Sequence, residues 1–233
     1  NMNELIQRID QCARRHPLLA IALFIQLEKE AIREQQISLA LNALVRRFFI
    51  YERTSGAVAM SDALQTGLQQ AEAAGLPYQA GKLMLCLGRV RYTQGVYNEA
   101  IHFWTRCIDL CKITHDIEVL IEARIGLGQI YDALGDWETG ARFHQDAGIL
   151  LERFDRPYLK AKQVINLGVN SAHLGKLEEA RALFQEALQL AEQAHVTEYV
   201  AETHWQIAVL AQRENHLEEA YQCAVRALEL AQQ

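Results

Sequence analysis

The feature that most constrains this chain is a self-similarity with a step of 40 residues. Gly88, Gly128 and Gly168 stand in register, and the next step lands on Ala208. A second set, Gly95, Gly135 and Gly175, keeps the same step and ends on Asn215. A third runs the length of the chain: Ala31, Ala71, Cys111, Leu151, Ala191 and Ala231. A fixed period of this size marks stacked supersecondary units, each too small to bury its apolar face alone. Six such steps fill the 233 residues from a few positions into the frame, so a single array over 1–233 is expected, with no room for a separate domain.

The stretch Val164 to Glu192 shows what one unit contains. It reads as two amphipathic helices joined by a tight turn at Leu174-Gly175-Lys176. Ala, Leu, Glu and Gln dominate the chain and only 3 prolines interrupt it, which favours helix throughout. Pro17, Pro77 and Pro157 suit first helical turns, where a missing N–H costs nothing, and the last two occupy the same frame position. The predicted helices are 2–14 and 17–32, then 36–53 and 57–73 with Ser55-Gly56 at the turn, then one opening at Pro77. Beyond these come 117–134 and 137–153, one opening at Pro157, and 197–214 and 217–232. The expected fold class is all-α: six antiparallel helix pairs stacked as an α-solenoid, with units near 1–33, 34–73, 74–113, 114–153, 154–193 and 194–233. Gly88, Gly128, Gly168 and Ala208 let one helix approach its partner closely, as do Ala100, Gly140, Ala180 and Ala220 from the second helix. Trp104, Phe184 and the leucines fill the spaces left between.

Leu127-Gly128, Tyr131, Gly135 and Ala147, and again Leu167-Gly168, Gly175, Ala180, Phe184 and Ala187, resemble the tetratricopeptide repeat, or TPR. The common TPR has about 34 residues; the 40-residue form resembles the TPR regions of bacterial signalling and regulatory proteins, among them peptide-responsive regulators, transcription activators and diguanylate cyclases. The resemblance implies a right-handed superhelix whose concave groove, lined by first helices, binds a protein or peptide. The inner positions matching the carboxylate clamp of chaperone-binding TPRs are Val45 and Phe49, Leu85 and Arg89, and Ile125 and Gln129, which lack the clamp pattern. Candidate groove residues are Asn42, Arg46, Phe49, Arg53, Lys82, Arg89, Tyr92, Gln129, Asp132, Lys162, Asn166 and His173. Arg46, Arg53, Lys82 and Arg89 would make the N-terminal half of such a groove basic and suited to an acidic peptide.

Other chemistry finds little support. Cys107, Cys111 and His115 fall at i, i+4 and i+8 on one helix, too spread for a metal centre. No H-E-x-x-H, Gly-rich phosphate loop or nucleophile–base motif is legible, so neither catalysis, a bound metal nor a cofactor is expected. Glu178-Glu179 and Glu218-Glu219 suit helix starts. A net charge of −6 is not that of a general nucleic-acid binder, although residues 1–116 carry +2 and residues 117–233 carry −8. The longest apolar run, Leu18 to Ile25, falls short of the roughly 20 residues that span a bilayer, so no membrane is expected. Five cysteines without a C-x-x-C pair, and no secretory signal, point to the cytoplasm. Asn1 before Met2 reads as a tag scar.

Both ends are unusually apolar. Helix 17–32 carries Leu18, Leu19, Ile21, Leu23, Phe24, Ile25 and Leu27 on nearly all sides. At the other end Leu217, Tyr221, Val225 and Leu228 repeat the interior pattern with no capping helix after them. Two expectations follow: continuation into an output domain after Gln233, or a homo-oligomer through the apolar ends. The leading expectation for function is the protein- or peptide-binding module of a larger bacterial signalling protein. Its rival is a sensor that binds a small ligand or signalling peptide in the groove.

Overall fold

A computed structural model describes residues 2–54 and 56–232; Asn1, Ser55 of the expected Ser55-Gly56 turn, and Gln233 lie outside the described residues. The fold is all-α. The helices are α1 (Met2–Ala13), α2 (Pro17–Arg33), α3 (Ile37–Arg53), α4 (Ser61–Ala73), α5 (Pro77–Thr93) and α6 (Tyr97–Thr114), followed by α7 (Ile117–Ala133), α8 (Trp137–Leu151), α9 (Pro157–His173), α10 (Leu177–Gln193), α11 (Thr197–Arg213) and α12 (Leu217–Ala231). Pro17, Pro77 and Pro157 each open a helix, as the frame requires. One boundary differs from expectation. The helix expected from 57 starts as a 3-10 turn, Ala57–Met60, ahead of α4. Gly56 N–H bonds back to the Tyr51 carbonyl at 2.9 Å while the Tyr51 ring lies against Gly56, so the chain leaves this turn tightly wound. No helix among the described residues is long and apolar enough to cross a membrane.

The chain forms two compact units, Asn1–Ala123 and Arg124–Gln233. Within the first, α1, α2 and α3 enclose a core of Ile6, Ile9, Ala20, Phe24, Leu27, Ala43 and Ile50. Within the second, Ala172, Ala180 and Phe184 of α9 and α10 meet Ile207 and Leu210 of α11.

The turns keep time at half the repeat. Left-handed backbone recurs at Gln35, Gly75, Gly95, His115, Gly135, Gly175, His195 and Asn215, each a multiple of 20 residues from the others. At Gly175 the arrangement closes the helix end: Lys176 N–H bonds Ser171 O at 2.9 Å and Gly175 N–H bonds Ala172 O at 3.2 Å. Gln35, His115, His195 and Asn215 adopt the same backbone without glycine's freedom, at φ between 54° and 63°.

The helical glycines make room for one large ring each. A Cβ on Gly88 would lie 2.2 Å from Trp104 Nε1, and one on Gly168 would lie 2.6 Å from Phe184 Cε1. In the pair between them the ring is His144, whose Cε1 would stand 2.5 Å from a Cβ on Gly128. The frame thus places Trp104, His144 and Phe184 in equivalent holes, and a polar ring occupies the middle one.

Candidate partner-binding face

In the first unit the predicted groove residues are largely engaged with one another's helices. Asn42 Oδ1 accepts from Gln79 Nε2 at 3.4 Å, tying α3 to α5. Arg46 lies 3.2 Å from Asp10 of α1. Burial pushes the Asp10 carboxyl above its ordinary value, and Arg46 and Arg53 pull it back. Phe49 is half-buried, with its ring edge-on to Phe48 at 5.4 Å. Arg89 makes a fork on Glu52, with Nε and Nη2 donating at 2.5 and 2.6 Å, and extends Nη1 to Glu122 at 3.1 Å. That guanidinium clamps α3 and α7 to α5 and carries its own counter-charge. Tyr92 lies against Tyr97 and Trp104 at 5.7 and 6.1 Å. Lys82 is half-buried and Arg53 exposed.

Val45, Leu85 and Ile125, expected among the inner positions, are 5, 4 and 0 % exposed. They belong to the core, because this helix face turns toward a neighbouring helix. Asp132 also departs from a groove position: it is 8 % exposed. Its Oδ1 accepts from Asn170 Nδ2 at 2.7 Å and its Oδ2 lies 2.9 Å from His144 Nε2. The same Asn170 amide donates to the Trp137 carbonyl at 2.7 Å. This buried network stitches α7, α8 and α9 together, and Gly140 leaves the space for Asp132, since a Cβ there would fall 1.9 Å from Oδ1. His144 Nδ1 and Asn170 Oδ1 are buried with no hydrogen-bond partner.

The remaining candidates line α7 and α9 in the second unit. Gln129, Lys162 and Asn166 are half-buried, and Asn166 Nδ2 donates to the Lys162 carbonyl at 2.8 Å. His173 is exposed and stacks flat on Trp137, with centroids 3.9 Å apart and planes 4° from parallel. Burial holds the His173 imidazole below its ordinary value, Arg213 pushes the same way, and Asp132 opposes them. Arg213 donates from Nη1 to the Ala172 carbonyl at 3.1 Å, which fixes the guanidinium at the rim of a cleft of about 30 Å³. Val169, His173, Gln206 and Val209 line that cleft, which has room for about one water. Sequence reasoning missed Trp137, Gln206 and Arg213. The signal was available: Arg213 stands one 40-residue step after His173, and Trp137 one step after Tyr97.

Cys107 and Cys111 are buried and His115 is exposed at the end of α6. Cys107 Sγ donates to the Gly81 carbonyl at 3.3 Å, and its contact with Cys111 together with burial holds that thiol well above its ordinary range. Among the described residues no group of three or more His, Cys, Asp or Glu side chains is placed to hold a metal ion.

Comparison with known proteins agrees with this architecture. The Tetratricopeptide repeat family model matches residues 161–233. No curated protein sequence matches the chain. Among solved structures, BtubC (BKLC) from P. vanneervenii superposes with a TM-score of 0.70 at 16 % identity, covering 91 % of this chain and 89 % of that one. A Rap protein solved in complex with Competence and Sporulation Factor gives 0.71 at 12 % identity, over 96 % and 73 %. A putative kinesin light chain with TPR-like repeats from Podosopora anserina gives 0.58 at 13 % identity, over 82 % and 94 %. Identities this low speak to fold alone. With the family match over its C-terminal third and the 40-residue frame running through its helices, the chain has a TPR-like helical-repeat fold.

Proposed function

We propose that the chain is a protein- or peptide-binding scaffold that engages its partner on the α9–α11 face of the second unit. The observation that carries this reading is the Trp137–His173 stack beside the Arg213 guanidinium. A flat aromatic platform supplies contact area, and a guanidinium already oriented by a backbone carbonyl offers its other N–H groups to a carboxylate. Arg46 and Arg89 already face acids of their own unit, which favours this second surface for an acidic segment. The Rap protein, solved with Competence and Sporulation Factor, shares the fold and supports a peptide as the ligand class. We further propose a cytoplasmic role as the regulatory module of a larger bacterial signalling protein, with both units belonging to one repeat array. The unbroken frame and the five free cysteines support this. Selecting peptides from a displayed random library on the full chain tests the binding role. Acidic ligands are expected, with Arg213→Glu weakening them at least about tenfold; a library yielding no ligand, or ligands indifferent to Arg213, contradicts it.

One observation favours the small-ligand alternative. Between α4, α5 and α6 an open cleft of about 500 Å³ is lined by Leu76, Pro77, Met84, Leu110 and Ile113, with the Glu72–Arg106 pair beside them. Its volume suits a small apolar molecule. Stabilisation by such a molecule in a thermal-shift screen, abolished by Met84→Trp, would support this reading.

A further inference from the structure

Among the described residues α12 leaves one face without a neighbour, whereas the equivalent face of α10 packs against α11. On α10, Leu177 packs against the core cluster that includes Ile207 and Leu210 of α11, Leu188 packs against the cluster that includes Val200, and Arg181 bonds both Glu214 and Glu219. One frame step later these positions are Leu217, Leu228 and Tyr221 of α12, exposed by 64, 60 and 68 %. Trp205 of α11 is 51 % exposed, whereas its counterparts Leu85, Ile125 and Ile165 are buried. Leu217, Tyr221, Val225 and Leu228 lie at helical spacing on a single stripe. Among the described residues nothing covers it.

We propose that this stripe is the interface of a two-fold homodimer, α12 of one copy packing antiparallel on α12 of a second. The stripe is self-complementary about a point between Gln222 and Cys223. In that register Leu217 of one copy meets Leu228 of the other, and Tyr221 meets Ala224. A two-fold contact requires this pattern, since each residue must serve on both sides of the axis. Ala220 and Ala224, both half-buried, keep the centre small enough for close approach of two helices. The charges agree with the same register. Arg226 of one copy faces Glu218 and Glu219 of the other. Glu219 is committed to Arg181, but Glu218 holds only the Gln222 amide, and Arg226 reaches Glu229 at 3.3 Å. A parallel arrangement would set Glu218 against Glu218 and Arg226 against Arg226.

Sedimentation equilibrium on the full chain, from low to high micromolar concentration, tests the inference. A dimer is expected, and Tyr221→Glu with Leu228→Glu is expected to give a monomer with unchanged helical content. Arg226→Glu is expected to weaken the dimer about tenfold by setting acids against acids, and adding Glu218→Arg is expected to restore it. A monomeric wild type at high micromolar concentration overturns the proposal. So does a dimer that survives Tyr221→Glu with Leu228→Glu but is lost on replacing the exposed Leu18 and Leu19 of α2 by Glu. Failure of the charge exchange to restore association overturns the antiparallel register. Peptide binding at Arg213 is a separate readout, so loss of one reading leaves the other intact.

Discussion

The two compact units use the same 40-residue frame, and both tie helices with arginine ion pairs, but they differ in what they bury. In the first, the ring filling the helical glycine's hole is Trp104, whose Nε1 donates to the Leu85 carbonyl at 3.1 Å, and the charges sit at the edge as ion pairs between helices. In the second, the equivalent hole beside Gly128 holds His144, and polarity enters the core as the Asp132–His144–Asn170 network. The frame needs a ring of a certain size at this position and tolerates a polar one, with His144 Nε2 paired to Asp132 and its Nδ1 left without a partner. The first unit commits Arg46 and Arg89 to acids of its own helices. The second satisfies its buried carboxylate from within and leaves Arg213 facing outward.

The largest expected effect breaks the second unit's side of this contrast. Gly140→Val would drive a branched side chain into Asp132 and against the Gly128 carbonyl, 3.1 Å from the first added carbon. Chemical denaturation should show a loss of about 3 kcal/mol or more, the sum of overpacking and broken buried hydrogen bonds. His144→Phe, which restores the ring type of Trp104 and Phe184, should nonetheless destabilise by about 1–3 kcal/mol, because buried Asp132 loses a donor. Adding Asp132→Ala and Asn170→Val, residues of the kind found at the equivalent Ala172 and Val90, should recover that loss. If His144→Phe alone stabilises, the network is dispensable and the contrast between the units fails.

In the first unit, Arg89→Met removes the guanidinium that Glu52 and Glu122 share. Glu122 is 7 % exposed, so the expected cost is about 1–3 kcal/mol in the same assay. A smaller gain is expected at the turns of both units. Gln35→Gly and His195→Gly relieve side chains held at φ of 58° and 54°, and each should stabilise by about 0.5–1 kcal/mol. The smallest effect is one of pH. His173 and His204 are held below their ordinary value of 6.5, first by burial, so the folded state favours the neutral ring. Their contribution is present above the unfolded value and is lost as pH falls through the depressed folded values. The thermal midpoint should drop on acidification from about pH 7.5 to 5, with a shallower slope in His173→Gln.

How much of this was legible in the sequence follows from what repeats. Gly88, Gly95 and Gly175 sit at positions where backbone geometry or close approach excludes larger residues, so their spacing exposed helices, turns and fold together. The left-handed Gln35, His115 and His195 carry no such mark, since their side chains tolerate the conformation without advertising it. The binding face was harder to read. Lone arginines look alike along a sequence, and only the structure shows Arg89 gripped by Glu52 and Glu122 while Arg213 leans on a carbonyl. Asp132 was misplaced for a related reason. An acid on a first helix normally faces solvent, and His144 and Asn170, which bring it inside, lie 12 and 38 residues away.

The central claim is that partner recognition lies on the second unit's α9–α11 face. Hydrogen exchange of the chain with and without a selected acidic peptide tests it most directly. Slowed exchange at residues 160–173 and 200–213, absent in Arg213→Glu, is the predicted result. Protection confined to 42–53 and 82–92, around Arg46 and Arg89, would contradict it.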